Sequence, residues 1–232
     1  MNEQKCRDTL KSNYQKNVAD GLSTKDAVYS AIKEGILLDQ LGDEIAENQI
    51  ALWLEVSRTP VREAMHQLSI ESLLEISHGR KAKIHRFSKK DAADISLLLR
   101  SLHTLAAELF IDNGKNADLQ KLEEAIALAS FYESRNDIHK MAQCFTAFHA
   151  NTALACGNKW LSDIITRLLS YTSAHREYAL SQPGRASISL KEHTAILDAI
   201  RERDKATTCA LLSKHVDSAF DCIARGDFKN GV

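Results

Sequence analysis

Only two prolines, Pro60 and Pro183, and nine glycines occur in 232 residues. Few positions can therefore stop a helix, and a mainly α chain is the natural outcome. A hydrophobic share of 44% with 26% charged residues is that of a globular protein, and the length suffices for one large domain or two modest ones. The five cysteines (Cys6, Cys144, Cys156, Cys209, Cys222) are odd in number and lack C-x-x-C spacing. That argues against a disulfide framework or a zinc ribbon and fits a reducing cytoplasm. No run approaches the length of an apolar membrane span, and the polar opening "MNEQKCRDTLKSNYQKN" has no apolar signal core. The expectation is a soluble, cytoplasmic protein with no membrane partner.

Apolar periodicity divides the chain in three. Residues 1–23 carry no sustained apolar stripe and read as an N-terminal arm, with a short helix as the alternative. From Thr24, Val28, Ile32 and Ile36 recur at helical spacing behind the capping candidate Ser23. A second helix is expected over Glu47 to Leu54 and a third after Ser57. "LLEIS" and "AKIHRF", separated by "HGRK", then read as a two-stranded hairpin. Three helices and a hairpin over residues 24–87 give a winged helix-turn-helix. Ser88 and Asp91 form a capping-box signature, and residues 88–232 read as an all-α bundle for effector binding and dimerisation. Six helices are expected in it, at 89–113, 117–134, 136–156, 158–180, 187–202 and 204–225.

The segment "VSRTPVREAM" explains one proline. With Ser57 as N-cap, Pro60 falls in the first turn, where the backbone N–H groups have no intrahelical acceptor. Val61, Ala64, Met65 and Leu68 then share one face, while Arg58, Thr59, Arg62 and His66 share the other. A helix tip with two arginines and a hydroxyl suits a DNA groove, because arginine can donate twice to guanine or clamp a phosphate. The plain alternative is a solvated helix whose arginines pair with Glu55 or Glu63. The hairpin tip adds His78, Gly79, Arg80 and Lys81, a glycine among cations. Between Val56 and Lys90 basic residues outnumber acidic ones, a local footprint for a polyanion in a chain whose net charge is −1. Asp39, Asp43, Glu44 and Glu47 are expected to sit away from DNA.

"VSRTPVREAM" followed by "LLEISHGRKAKI" resembles the DNA-binding domain of GntR-type bacterial transcription regulators. The helical remainder resembles the effector domain of that family's fatty-acid-regulator (FadR) branch, the FCD domain. The resemblance implies that Ser57, Arg58, Thr59 and Arg62 are recognition-helix positions and that His78 and Gly79 are wing-tip positions. It also implies a homodimer on a near-palindromic operator. Two positions depart from the pattern: Asn48 stands where an arginine is usual, and Lys81 where a glycine is common.

Three histidines lie on apolar stripes: His149 among Phe145, Phe148, Thr152 and Ala153, His193 before Ile196, Leu197 and Ile200, and His215 after Leu211 and Leu212. Each can be a satisfied core residue, or the three can meet around a divalent metal such as Zn or Ni. The resemblance maps the family's metal histidines onto His149, His193 and His215. The usual aspartate ligand is Phe145 here, which removes a ligand and a negative charge. A metal centre and a metal-free cavity using the imidazoles as hydrogen-bond donors both remain open. Arg100 resembles the arginine that helps hold an acidic effector, with a salt bridge to a neighbouring helix as its other reading. His103 replaces a usual glutamate. The implied effector is a small carboxylate, bound among Arg100 and the three histidines.

The leading reading is a ligand-responsive DNA-binding regulator, a repressor, and not an enzyme. A metal-dependent hydrolase would use the three histidines to activate water, but no H-E-x-x-H or nearby carboxylate base accompanies them. A helical protein-interaction module is the third reading.

Overall fold

The computed structural model describes residues 3–38, 40–71, 73–76, 81–86 and 88–225. It separates into two units, divided between Arg86 and residue 87.

The N-terminal unit holds α1 (Glu3–Ala19), α2 (Thr24–Leu37), β1 (Glu44–Ala46), α3 (Glu47–Leu54), α4 (Arg58–Ile70), β2 (Leu74–Ile76) and β3 (Lys81–Ile84). Residues 3–19, expected as an arm, form a regular helix, and Cys6 and Leu10 are buried on it. Two turns of sparse apolar content were enough because α2 and α3 supply the rest of the packing. Ser23 caps α2 by accepting from the Asp26 N–H, and Val28 and Ile32 are fully buried beneath it. The expected hairpin is present as β2 and β3, joined by a third strand, β1, in the order β1-β3-β2. Both pairings are antiparallel. Lys83 lies opposite Glu44 on one side and Glu75 on the other, while Ala82 faces Ile45 and Ile76. Opposite charges thus line one face of the sheet.

The second unit comprises α5 (Lys89–Asn113), α6 (Asn116–Glu133), α7 (Ile138–Ala155), α8 (Lys159–Tyr171), α9 (Ser173–Ser181), α10 (Arg185–Arg201) and α11 (Lys205–Arg225). Ser88 and Asp91 close the capping box at the start of α5. The single helix expected over 158–180 is two, broken at Thr172 (φ −96°, ψ 10°). No proline or glycine causes the break. Arg176 does the work of a cap instead: Nη2 donates to the Leu169 carbonyl at 2.7 Å, and Nη1 donates to Thr172 Oγ1 at 3.0 Å. A carbonyl released at the end of α8 is satisfied by a guanidinium from the next turn. Gly184 begins α10 in the left-handed region (φ 74°), where glycine carries no Cβ penalty.

Two apolar clusters frame the bundle. One joins α5, α6, α7, α10 and α11 through residues such as Phe110, Leu122, Phe145, Phe148, Ile196 and Leu212. The other joins α5, α7 and α8 through Leu99, Ala153, Leu161, Ile165 and Leu169. A cavity opens where the clusters meet.

In the N-terminal unit one polar network fixes α4 against α2. Tyr29 Oη donates to Glu71 Oε1 at 2.7 Å, and Lys33 Nζ donates to Glu71 Oε2 at 2.7 Å and to Tyr29 Oη at 2.9 Å. Glu71→Ala would leave a phenol and a half-buried ammonium without their acceptor, so this unit is expected to lose about 2 kcal/mol. Urea unfolding followed by Trp53 fluorescence checks the figure.

Candidate functional site

The helix tip at α4 is built as its sequence requires. Ser57 is the N-cap residue (φ −66°, ψ 160°), yet its side chain makes no capping bond. Its hydroxyl is therefore not spent on the helix. Val61, Ala64, Met65 and Leu68 are buried, while Arg58, Thr59, Arg62 and His66 are exposed. Neither arginine pairs with Glu55 or Glu63. Arg58 Nη1 donates to Asn48 Oδ1 at 3.2 Å, and Arg62 makes a two-point pair with Glu47, Nε to Oε2 at 3.0 Å and Nη2 to Oε1 at 2.9 Å.

Glu47, expected to sit away from DNA, pairs with Arg62 on the exposed face of α4. It is 4% exposed, and a carboxylate so far from water needs a fixed cation. Arg62 keeps about half of its side chain in solvent, so one edge of its fork stays available while the other is held. Ser57, Arg58, Thr59 and Arg62 thus share one exposed tip. His78, Gly79 and Arg80 lie outside the described residues.

The second site is the cavity, of about 70 Å³, room for about five waters or a small organic anion. His149 on α7, His193 on α10 and His215 on α11 each bring one ring nitrogen within 4.8 Å of the other two. Their neighbours fix the tautomers. The Ser189 carbonyl can only accept, so His193 Nδ1–H donates to it at 2.8 Å. His193 Nε2 then presents its lone pair to His149 Nε2, 3.1 Å away. His215 Nδ1 lies 2.7 Å from Glu192 Oε2 and donates to it.

Imidazoles backed by a carbonyl and a carboxylate are the usual form of metal-binding histidines. Two nitrogens 3.1 Å apart also approach the roughly 3.3 Å between ligands of a tetrahedral zinc ion. The donor set fits a divalent cation. Phe145 offers no ligand. Its ring stacks flat on His193, with centroids 3.8 Å apart and planes 4° from parallel.

The electrostatics are those of a dry, cation-rich chamber. Burial first, then neighbouring imidazoles and arginines, hold His149 and His193 well below the ordinary histidine value. Burial pushes His103, whose ring centre lies 4.4 Å from that of His149, down to about 3. These rings are neutral at pH 7. Two guanidinium groups share the space. Arg176 keeps some residue surface exposed, but its charged end lies deep enough that burial pushes it down to about 10. It remains a cation at neutral pH. Arg185 is 4% exposed, and its Nη2 donates to Glu192 Oε2 at 2.8 Å. Arg176 Nε, Arg185 Nε and Arg185 Nη1 are buried without a hydrogen-bond partner. Burial raises the Glu192 carboxyl, but His215 and Arg185 outweigh it and hold the group below its ordinary range. One carboxylate therefore serves two partners, and Arg176 has no carboxylate among the described residues.

Arg100, expected as the effector arginine, is not among the residues lining the cavity. Its Nη1 lies 3.3 Å from both Asp217 oxygens on the outside of α5. Ala92, Ser96, Leu99 and His103 form the cavity stripe of that helix, and Arg100 is one residue, or 100°, off it. The cations that do line the cavity, Arg176 and Arg185, escaped the sequence reading. Arg176 interrupts an apolar series through Ile165, Leu169 and Leu180, a signal that was present. Arg185 falls between the helices expected at 158–180 and 187–202, but it is the first residue of α10.

Known proteins share both parts. Residues 24–84 match the model for bacterial regulatory proteins of the gntR family, and residues 94–218, more than half of the chain, match the FCD domain. An uncharacterized HTH-type transcriptional regulator of Bacillus subtilis (strain 168), YdhC, is 29% identical over 174 residues, covering 71% of this chain and 74% of that protein. The HTH-type transcriptional repressor NanR of Citrobacter rodentium is 26% identical over 196 residues, covering 75% and 74%. The solved structure of E. coli McbR/YncC superposes with a TM-score of 0.75 at 18% identity, covering 88% of this chain and 98% of that one. Among the described residues no helix is long and apolar enough to cross a membrane. The chain belongs to the GntR family of DNA-binding transcriptional regulators, in the branch that carries an FCD effector domain.

Proposed function

We propose that this regulator is a repressor whose operator is read by Ser57, Arg58, Thr59 and Arg62, with His78, Gly79 and Arg80 at the wing, and released by a small carboxylate bound in the histidine cavity. The observation that carries the effector assignment is the pair Arg176 and Arg185, buried cations with unused N–H donors beside three inward imidazoles. A carboxylate oxygen accepts from guanidinium N–H groups, and Arg176 Nε, Arg185 Nε and Arg185 Nη1 are the donors left without a partner. It would also supply the negative charge that the chamber lacks. The repressor sense rests on relatives such as NanR, which are named repressors.

His149, His193 and His215 would hold a divalent cation, Zn or Ni, which when bound supplies a Lewis-acid anchor for a carboxylate oxygen. The chain's own part is to orient the rings through Ser189 and Glu192, exclude water and keep His149 and His193 neutral. Hydrolysis has no support: Glu192 is committed to His215 and Arg185, no carboxylate is among the described residues that line the cavity, and the family is one of regulators. The carboxylate acts only by binding one state of the regulator better than the other. The working unit is a homodimer. α5 and α8 pack on each other and expose Leu98, Leu105, Trp160 and Ile164, from 44 to 78% accessible. Exposed apolar side chains on two packed helices suit a second copy.

Three outcomes are expected. Arg58→Ala weakens binding to the duplex that the protein selects from a randomised library by about 1–3 kcal/mol, without shifting the melting temperature. It is a cleaner probe than Arg62→Ala, which would strand the buried Glu47. Unchanged affinity on a gel-shift titration would remove the tip from the interface. In a thermal-shift screen of small carboxylates, the effector at a hundredfold its Kd adds about 2.7 kcal/mol. Arg176→Met should erase that gain while leaving effector-free DNA binding intact, and a full gain in the variant overturns the assignment. Chelator-treated protein titrated with Zn or Ni should take one equivalent per chain by calorimetry, and His193→Ala should take none. Equal uptake by both proteins sinks the metal site.

A further inference from the structure

Helix α1 lies outside the residues that match the DNA-binding family model, and its charge is not absorbed by the fold. Glu3, Arg7 and Lys11 recur every four residues, so they form one stripe. That stripe runs along α3. At one end the Gln49 amide donates to Glu3 Oε1 at 2.7 Å, and at the other Lys11 Nζ donates to Glu55 Oε1 at 2.8 Å. Both attachment points adjoin the DNA-facing tip. Asn48, next to Gln49, accepts from Arg58, and Glu55 is two residues from the N-cap Ser57.

Glu55 is an awkward residue for this place. It occupies the left-handed region (φ 58°, ψ 39°) in the turn of the helix-turn-helix, where a non-glycine residue costs about 1 kcal/mol or more. Its carboxylate is more than three-quarters exposed. A free anion there would repel the phosphates that the tip of α4 approaches. Two α1 cations answer it. Lys11 pairs with it directly, and Arg7, exposed and without a hydrogen bond or ion pair to the described residues, also lowers the Glu55 carboxyl through its charge. Lys11 and Glu55 cancel each other and Glu3 is held by Gln49, so Arg7 is the charge of this stripe that stays open to a further anion among the described residues.

We propose that α1 is part of the DNA-binding face, with Lys11 cancelling Glu55 and Arg7 meeting the phosphate backbone of the duplex beside the groove read by α4. This rests on the reading of Ser57, Arg58 and Thr59 as the groove-facing tip. A purely structural α1 would brace α3 and contribute nothing to affinity.

The test uses the full chain and the duplex that the wild type selects from a randomised library, titrated at several salt concentrations. Arg7→Gln/Lys11→Gln should bind about fivefold to tenfold more weakly, equally on selected and unrelated duplexes. The slope of log affinity against log salt should shrink by about 1. Adding Glu55→Gly, which removes the anion and suits the left-handed turn, should recover part of the affinity but not the slope. Wild-type affinity and slope in Arg7→Gln/Lys11→Gln, with at most a lower melting temperature, would reduce α1 to a brace. Failure of the tip assignment would look different: Arg58→Ala would bind like wild type whatever the α1 variants do.

Discussion

Removal of water from a small chamber of basic side chains is the constraint on which the effector domain depends. His103, His149, His193 and His215 stand with Arg176 and Arg185 around one cavity, and a low-polarity interior cannot hold that many positive charges. The conflict is resolved by type. His103, His149 and His193 give up their protons, as their depressed values reflect. Guanidinium groups cannot, so they remain the fixed charges. A neutral imidazole has a lone pair to offer, and a buried guanidinium has unused N–H donors. The same desolvation therefore makes the rings suitable for a cation and the arginines suitable for an anion.

Helix geometry follows from holding Arg176 there. Had α8 run on unbroken to residue 180, each carbonyl would have been taken by an N–H four residues later. Stopping at Thr172 releases the Leu169 carbonyl, and Arg176 takes it while Thr172 Oγ1 takes a second donor of the same fork. Capping and cavity function are thus one interaction. In the N-terminal unit the pair Arg62 and Glu47 plays a comparable part. A buried carboxylate at the start of α3 fixes one edge of an exposed guanidinium on α4, so less side-chain entropy would remain to be lost if the other edge met DNA, as proposed.

Much of the architecture was legible because it is written in local pattern. The limits of α3 and the start of α4 followed from Ser57 and a proline tolerated in the first turn, and the capping box at Ser88 from two residues. β1 was missed because three residues pressed directly against a helix carry no turn signal, and its pairing with β3 is non-local. The three histidines were found from their positions on apolar stripes. Arg100 and Arg176 show where that method stops. Both are arginines in apolar helices, but one step of 100° sends Arg100 to Asp217 on the surface, and a kink that no local residue announces sends Arg176 inward. The wing tip at His78, Gly79 and Arg80 was read from composition alone.

The exchange of a usual carboxylate for Phe145 has a further physical meaning. A carboxylate beside His193 would pair with a cation and also partly neutralise the arginines, lowering the demand for an anion from outside. Phe145 instead covers the face of His193 with a flat apolar ring, keeps that imidazole dry, and leaves Glu192 as the lone negative group serving His215 and Arg185. Among the described residues Arg176 is then paired with no carboxylate. Such a chamber is stabilised by whatever anion enters it, more than a charge-balanced one would be. Occupancy should thus couple strongly to the packing of α8, α9 and α10, the elements that carry or cap Arg176 and Arg185, because the same guanidinium fork that would receive the ligand also closes the end of α8.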